Sequence, residues 1–363
     1  MKKKISAYRL FVIISIIIIV VFNILARIRL FCDFYTDHIY RIWANTYGRL
    51  MGLFPVSVGE LMIIAMIIVV LMAMIFSILL IFIKKEAYKS FCKGYYKGFF
   101  TLILITCLLM TFNCSIPYNC SRITFERPAK KSYSEEEIIT VYNYVVSECN
   151  ELYKEVKRDE DGLVCLPDNV QAEVKQALRK LSKQYPRLKG YYPNAKRIMN
   201  SFFMNQTGTI GVYFPFSLEA NYIKYLSPTF LPSTIAHELA HLKGYMYEDE
   251  ANFISYLACI GSDNKEVQYA GYISVLYYLE DDIATVKNKK ALEKCDNRVW
   301  KDAIIYTKNA LAEIESKKEF ISTEVVEKLD KKFTETYMDY YGVTPNYSEV
   351  VRLMLNYYDG ILY

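Results

Sequence analysis

The stretch HELAHLKGYMYEDEAN, residues 237–252, decides how the second half of the chain is interpreted. His237 and His241 lie four residues apart, and Glu238 follows the first of them. Residues with this spacing lie on one face of an α-helix, about one turn apart, so both imidazoles can face the same point. The whole chain has three histidines, and two of them are here. This concentration favours a functional site over an ordinary surface helix.

The residues around the two histidines predict a short, buried helix over residues 232–243. Pro232 suits the first turn of a helix, where a backbone N–H is not needed. Gly244 suits the position just after the end, where the chain often takes a left-handed conformation. The remaining positions are apolar, as in a buried helix, namely Ile235, Ala236, Leu239, Ala240 and Leu242.

Two imidazoles on one helix face can bind a single Zn²⁺, which then needs a third protein ligand and an open position for water. After the turn at Gly244, the chain offers Glu248 and Glu250 as that ligand. Glu248 is favoured, because Asn252 would lie one turn along the next helix and could hydrogen-bond a ligand histidine. Glu238 is predicted to act as the base that takes a proton from a zinc-activated water and passes it to the leaving amine.

The composition of the chain separates two halves and excludes one class of function. Apolar residues make up 53% of the 363 residues and are concentrated before residue 115. The net charge of +5 is scattered and forms no basic stripe, so nucleic-acid binding is excluded. The nine cysteines form no CxxC pair, which argues against a cysteine zinc cluster, although some could pair in an oxidising compartment.

The apolar half predicts a membrane domain over residues 1–114, followed by a soluble domain over residues 115–363. Apolar runs long enough to cross a bilayer lie at about residues 10–26, 56–83 and 99–114. Basic segments precede the first span and separate the second from the third, and such segments favour the cytoplasmic side. Three crossings then place the soluble domain outside the cytoplasm of a multi-pass protein of the cell membrane. Without the third span, which is the shortest, the soluble domain would be cytoplasmic.

The segment over residues 27–54 joins the first two spans and has its own apolar face. This face consists of Leu30, Phe34, Ile39, Ile42 and Trp43, and it could lie flat on the membrane or cover the soluble domain. His38, the third histidine, is interpreted as an interfacial helix residue rather than as a metal ligand.

The soluble half is predicted to be mainly α with a small β-sheet. Acids and apolar periodicity indicate a helix from Ser134, and β-branched and aromatic residues indicate a strand in TGTIGVYFPFS, residues 207–217. Glu219 is interpreted as an acid at a helix start. Further helices are predicted over about 168–185, 247–261, 264–286, 296–318, 322–340 and 347–358.

HELAH followed by a glutamate at this distance resembles the zincin metallopeptidases, in particular the gluzincins, whose third ligand is a Glu that starts an ExxxD-type helix. Here Asn252 takes the place of the usual Asp, and the ligand lies closer to the histidines than in many gluzincins. Tyr247 stands where the metzincins would require a third histidine, so that class is rejected.

Longer strings are similar to an uncharacterised family of bacterial multi-pass membrane proteins assigned to the zincin clan. These strings are FPVSVGE, GVYFPFSLEAN, LPSTIAHELAHLKGYMYEDEANFISYLAC and GVTPNYSEVVRLML, and together they cover most of the chain. The resemblance implies a zincin-like fold and a zinc site, without a known substrate.

The zincin resemblance also implies how a substrate would be bound. An edge strand upstream of the HExxH helix, here at Gly208–Phe216, would pair with the substrate backbone, and Tyr347 is the candidate that would stabilise the oxyanion. The function expected is that of a membrane-bound zinc metallopeptidase acting on peptides or proteins, membrane-associated ones included. The alternatives are a catalytically silent zincin-fold receptor or scaffold, and a zinc hydrolase of cell-wall amides.

Overall fold

The structure, a computed structural model, describes residues 6–125, 127, 132–319, 321–329, 331–332 and 348–363. These residues are mainly helical and contain a small three-stranded sheet. The chain forms two compact units, Met1–Ser121 with Phe214–Glu219, and Arg122–Tyr213 with Ala220–Tyr363. The division into domains at residue 114 stays a prediction.

The first unit contains helices that are continued by two π-helical turns, Tyr35–Tyr40 and Thr111–Ser115. The helices are α1 (Ala7–Leu25), α2 (Arg29–Phe34), α3 (Arg41–Met51), α4 (Val58–Phe82), α5 (Glu86–Met110) and α6 (Ile116–Tyr118).

Three helical segments of the first unit are long and apolar enough to cross a membrane. They are Ala7–Leu25, Val58–Phe82 and Glu86–Tyr118, with mean hydropathies of 2.6, 3.2 and 2.1. The first two agree closely with the predicted spans. The third begins well before residue 99, because the basic stretch containing Lys89, Lys93 and Lys97 is itself helical. These helices make the protein membrane-associated.

The segment between the first two apolar helices is helical from Arg29 to Met51, with a π-helical turn in the middle. Its predicted apolar face is solvent-exposed in the structure at Leu30, Phe34, Ile39, Ile42 and Trp43. His38 lies in the π-helical turn, where its Nδ1 is 3.0 Å from the main-chain oxygen of Phe34.

The interpretation of Glu219 as an acid at the start of a helix was wrong. Glu219 is the first residue of a strand, and its carboxylate accepts hydrogen bonds from the backbone N–H groups of Gly59 and Val58, at 2.7 and 3.2 Å. These N–H groups belong to the first turn of α4, where no helical carbonyl is available to them. Glu219 therefore caps a helix that is distant in sequence.

The second unit is built around a helical core. Its helices are α7 (Glu135–Glu155), α8 (Val170–Leu181), α9 (Ser201–Gln206), α10 (Leu231–Leu242), α11 (Glu248–Ile260), α12 (Lys265–Ile283), α13 (Asn297–Asp302), α14 (Lys308–Ser316), α15 (residues 323–329) and α16 (Ser348–Tyr358). The predicted helix at Ser134 is confirmed, since Ser134 and Glu137 form a capping box before α7. Helix α12 packs against α7, α10 and α11.

The prediction of a single helix over residues 296–318 was wrong, because residues 303–307 separate α13 from α14. The main-chain oxygen of Ile305 accepts from the N–H of Ser227 at 2.7 Å, and that of Ile304 accepts from the Ser227 hydroxyl at 2.6 Å. Tyr306 also forms a β-bridge with Leu226. These long-range bonds hold the backbone out of the helical conformation, which periodicity alone cannot reveal.

The sheet lies in the order β1 (Lys196–Arg197), β3 (Glu219–Tyr222), β2 (Gly211–Phe214). Strands β1 and β3 run parallel, and Ile223 N–H donates to the main-chain oxygen of Ile210, beside β2. The strand predicted at Gly208–Phe216 is confirmed as the shorter β2. Within the described residues β2 is an outer strand.

Candidate metal centre

Helix α10 presents His237 and His241 toward the start of α11. The helix has Pro232 in its first turn, as predicted, and it ends before Gly244, whose φ is +91°. Gly244 N–H donates to the main-chain oxygen of His241, and Tyr245 N–H donates to that of Ala240. These two bonds form a Schellman motif, which reverses the chain and brings the first residue of α11 back to the histidines.

The structure brings together His237, His241 and Glu248, the residues predicted to hold zinc. The Nε2 atoms of the two histidines are 2.9 Å apart. The Glu248 carboxylate lies 3.2 Å from Nε2 of His237 and 3.5 Å from that of His241. One ligand atom from each residue lies within 4.8 Å of the others. We call these three residues the histidine cluster.

The spacing of the histidine cluster fits a zinc ion. Nitrogen and oxygen ligands lie about 2.0–2.2 Å from zinc, which in a tetrahedron separates them by about 3.4 Å. The Glu248 side chain is 50% exposed, so the cluster is open on that side. A structural zinc site is normally closed by four protein ligands, whereas a catalytic site keeps an open position.

The outer nitrogens of both imidazoles are held by hydrogen bonds. Nδ1 of His241 is 2.8 Å from the main-chain oxygen of Tyr245, which can only accept, so this nitrogen carries the proton. Nδ1 of His237 is 2.8 Å from Oδ1 of Asn252. Both Nε2 lone pairs then converge beside a carboxylate. Such a group of acceptors is stable only when a proton or a metal ion lies among them.

Opposing effects act on the pKa values in the histidine cluster. Burial lowers the pKa of His241, but the carboxylates of Glu248 and Glu238 outweigh it and raise the pKa to about 9. Burial raises the pKa of Glu248, and the two imidazoles outweigh this and hold it well below its usual range. Both pKa shifts mean that a positive charge on the imidazoles and the negative charge of Glu248 stabilise each other.

Glu238, the predicted base, is buried beside the histidine cluster. One carboxylate oxygen lies 4.0 Å from Nε2 of His237, and the other has no hydrogen-bond partner among the described residues. Burial raises its pKa to about 7, although the two histidines act in the opposite direction. A carboxyl group with a pKa near neutrality is suited to taking up and returning a proton.

Strand β2 passes directly over Glu238. A Cβ atom added to Gly211 would lie 2.4 Å from Oε1 of Glu238 and 2.9 Å from the methyl group of Thr234. Gly211 therefore allows the strand to approach the buried carboxylate. Sequence reasoning missed this role, although a glycine inside the predicted strand was an available signal.

Glu250, the other candidate ligand, faces away from the histidines. Its side chain is 3% exposed, it accepts from the backbone N–H of Ile123 at 2.7 Å, and it forms an ion pair with Arg122, whose Nε lies 3.2 Å away. Arg122 also pairs with Asp249, and its guanidinium lies 4.0 Å from the ring centre of Tyr247. We call Arg122, Asp249 and Glu250 the arginine cluster. Nothing in the sequence indicated it, because Arg122 precedes α11 by more than a hundred residues.

A cavity of about 290 Å³ adjoins His237, Glu238 and Glu248. The rest of its lining comes from β2, α10, α11, α12 and the segments next to them. The lining residues there are Gly208, Ile210, Gly211, Phe230, Ser233, Thr234, Asn252, Ser255, Ser274, Val275 and Tyr278. The contribution of α12 was not predicted. Tyr347, the predicted oxyanion residue, lies outside the described residues.

None of the nine cysteines forms a disulfide in the structure.

Comparison with known proteins gives one family. Residues 35–355 match the family described as "Protein of unknown function (DUF3810)". No curated protein and no solved structure matches the chain.

Proposed function

The chain belongs to the DUF3810 family of unknown function, and from its candidate metal centre we propose that it is a membrane-bound zinc metallopeptidase of the zincin type. The observation that carries this proposal is the convergence of His237, His241 and Glu248 beside a buried carboxylate, Glu238, that has an oxygen without a partner in the described part of the chain. A purely structural helix has no need of this combination, because a partnerless buried polar atom is costly.

His237, His241 and Glu248 would hold the zinc ion. When bound, zinc would act as a Lewis acid that lowers the pKa of water to about 7 and polarises the substrate carbonyl. Asn252 and the main-chain oxygen of Tyr245 would keep the imidazoles oriented through Nδ1.

Glu238 would carry out the proton transfers of peptide hydrolysis. Its carboxylate would take a proton from the attacking water and give it to the nitrogen of the leaving amine as the C–N bond breaks. Its position under Gly211 limits how the side chain can move. The raised pKa of Glu238 supports this role, because a carboxylate with a low pKa is a poor acceptor for the proton of the attacking water.

The substrate backbone would lie along strand β2. An outer strand can add an extended peptide through main-chain hydrogen bonds, which bind without regard to side chains. Gly211 places the start of this strand over Glu238, so a peptide added here would pass close to the base.

The soluble part of the chain would lie outside the cytoplasm. The lysines before the first apolar helix and those near the start of the third favour the cytoplasmic side, and three crossings lead outward. Cys165 is exposed in the second unit. In intact cells, a membrane-impermeant thiol reagent should therefore label Cys165, with Cys165→Ser as the control; labelling only after lysis would reverse the orientation.

The decisive experiment compares the full-length wild type with Glu238→Gln, which keeps the size and shape of the side chain. Both purified proteins should hold about one zinc per chain. Hydrolysis of a mixed peptide library should fall by roughly 10²–10⁴-fold in the variant, the usual contribution of a general base.

Three other results would change the proposal. Equal hydrolysis by the two proteins would remove Glu238 from the mechanism. Zinc binding with no hydrolysis of library or cell-wall peptides would favour the silent receptor, and hydrolysis of cell-wall peptides alone would favour the amide hydrolase. Absence of zinc from wild type, even after zinc is supplied, would overturn the metal site itself.

A further inference from the structure

The cavity beside the histidine cluster is of a size that suits one side chain. Its volume, about 290 Å³, lies at the lower limit of the roughly 300–1,000 Å³ that ligand pockets commonly have. Helix α12 supplies one wall through Ser274, Val275 and Tyr278, which neither the metal nor the proposed base uses.

Part of the cavity wall away from the histidine cluster is apolar, and hydroxyl-bearing and amide side chains line the rest. Ile210 and Phe230 line it from the segments before β2 and α10, and Val275 and Tyr278 line it from α12. Val275 and Phe230 also belong to the buried core, so their positions are fixed by packing. Fixed apolar walls favour a guest that buries apolar surface.

The serine and threonine hydroxyls that line the cavity already donate their protons within the protein. Those of Ser233 and Thr234 donate to the main-chain oxygen of Phe230, at 3.0 and 2.8 Å. Ser255 donates to the main-chain oxygen of Ser233 at 2.6 Å, and Ser274 donates to that of Gly271 at 2.7 Å. These four hydroxyls therefore have no proton left to donate to a guest.

Among the residues that the structure describes, the acidic or basic side chains that line the cavity, apart from His237, are the carboxylates of Glu238 and Glu248. An acidic guest would be repelled by both. A lysine or arginine guest would pair with a carboxylate that the proposed chemistry requires. The electrostatics thus disfavour an acidic guest, while a basic guest would compete with the proposed chemistry for its carboxylate.

We propose that this cavity is a specificity subsite that takes an uncharged, apolar side chain next to the cleaved peptide bond, with Ser274 and Tyr278 setting its size. This inference rests on the proposed function and names the substrate class of the same site. Because Ser274 and Tyr278 lie four residues apart on α12, they share one helix face.

The test is a cleavage profile of the full-length, zinc-loaded protein on peptides randomised on both sides of the cleaved bond. Wild type should prefer Leu, Met or Phe at one of the two positions. Asp or Lys at that position should lower kcat/KM by more than about tenfold, since a single methylene in an apolar pocket already counts for roughly 10–200-fold. Ser274→Phe should narrow the preference to small residues at unchanged zinc content, and Ser274→Ala is the matched control that leaves the space open.

A second variant covers the case in which Ser274→Phe fails to fold. Tyr278→Ala should enlarge the cavity and move the preference toward larger side chains, while Tyr278→Phe should keep the wild-type profile. A profile with no apolar preference, or one that neither variant changes, would overturn the subsite and leave the metallopeptidase proposal intact.

Direct binding separates the two proposals if wild type cleaves nothing. N-acetyl-phenylalaninamide and N-acetyl-aspartamide are compared by saturation-transfer NMR, with the Ser274→Phe protein in the same detergent to correct for partition into micelles. If only the phenylalanine probe binds, and its binding is lost in Ser274→Phe, the apolar subsite is supported even though the peptidase proposal fails. Equal signals for the two probes, or no signal, would overturn the subsite as well.

Discussion

The histidine cluster and the arginine cluster each contain a glutamate from the first turn of α11. The two glutamates are only two residues apart, yet their surroundings differ in kind. Glu250 is almost fully buried, forms an ion pair with Arg122 and accepts a hydrogen bond from the N–H of Ile123, and both of these groups can only donate. Glu248 is half exposed and faces two imidazoles whose Nδ1 atoms are already hydrogen-bonded elsewhere.

The comparison shows what separates a structural carboxylate from one available to a ligand. In the arginine cluster the protein itself supplies the positive charge, on Arg122, although burial still raises the pKa of Glu250 to about 7. The contacts of this cluster fasten residues 122–123 to α11. In the histidine cluster the protein supplies acceptors, and a proton or a metal ion must supply the positive charge. The first arrangement stabilises the fold, and the second can bind.

The largest expected effect is on zinc content, and it tests whether the two glutamates differ as described. Glu248→Ala should reduce zinc from about one ion per chain to nearly none, because two histidines and water hold zinc weakly. Glu250→Ala, in protein that remains folded, should retain its zinc. Both contents can be measured by atomic emission on the purified, detergent-solubilised chain. Loss of zinc in Glu250→Ala, together with retention of zinc in Glu248→Ala, would reverse the comparison.

A smaller effect is expected on stability, and here both glutamates should contribute. Glu250→Gln keeps the side-chain shape but removes the charge that Arg122 and the Ile123 N–H face. The free energy of unfolding should fall by about 1–3 kcal/mol, as for hydrogen bonds to charged groups. Thermal unfolding of zinc-free protein in detergent at neutral pH measures this. The matched variant Glu248→Gln should lose stability there too, because the imidazoles hold the pKa of Glu248 well below its usual range and its carboxylate therefore stabilises the zinc-free fold. A Glu248→Gln protein as stable as wild type would contradict that pairing.

The smallest effect concerns Asn252, which connects α11 to the histidine cluster. Asn252→Ala removes the acceptor for Nδ1–H of His237 and should weaken zinc binding about 10–100-fold, the usual effect of such a partner. Asn252→Asp keeps an acceptor and should bind zinc at least as tightly as wild type. A competition titration with a chromophoric chelator gives both dissociation constants. Unchanged affinity in the alanine variant would mean that Asn252 does not orient the histidine.

Local sequence was sufficient for the features that depend on neighbours along the chain. The helix that carries His237 and His241 follows from apolar periodicity, from Pro232 in its first turn and from Gly244 after its end. The three apolar helices follow from length and hydropathy. The prediction failed at residues 303–307, because the bonds to Ser227 that interrupt the helix join residues about 75 positions apart.

The sequence by itself determined a membrane-associated, mainly helical chain with two histidines on one helix face and two acids close behind. The sequence favoured Glu248 over Glu250 through Asn252, but only the tertiary structure shows which acid faces the histidines, because the two glutamates have the same chemistry and differ in the groups packed against them. It also decided that Gly211 lies over Glu238 and that α12 completes the cavity. These last two contacts join segments that are distant in the chain, and such contacts leave no local periodicity from which they could be predicted.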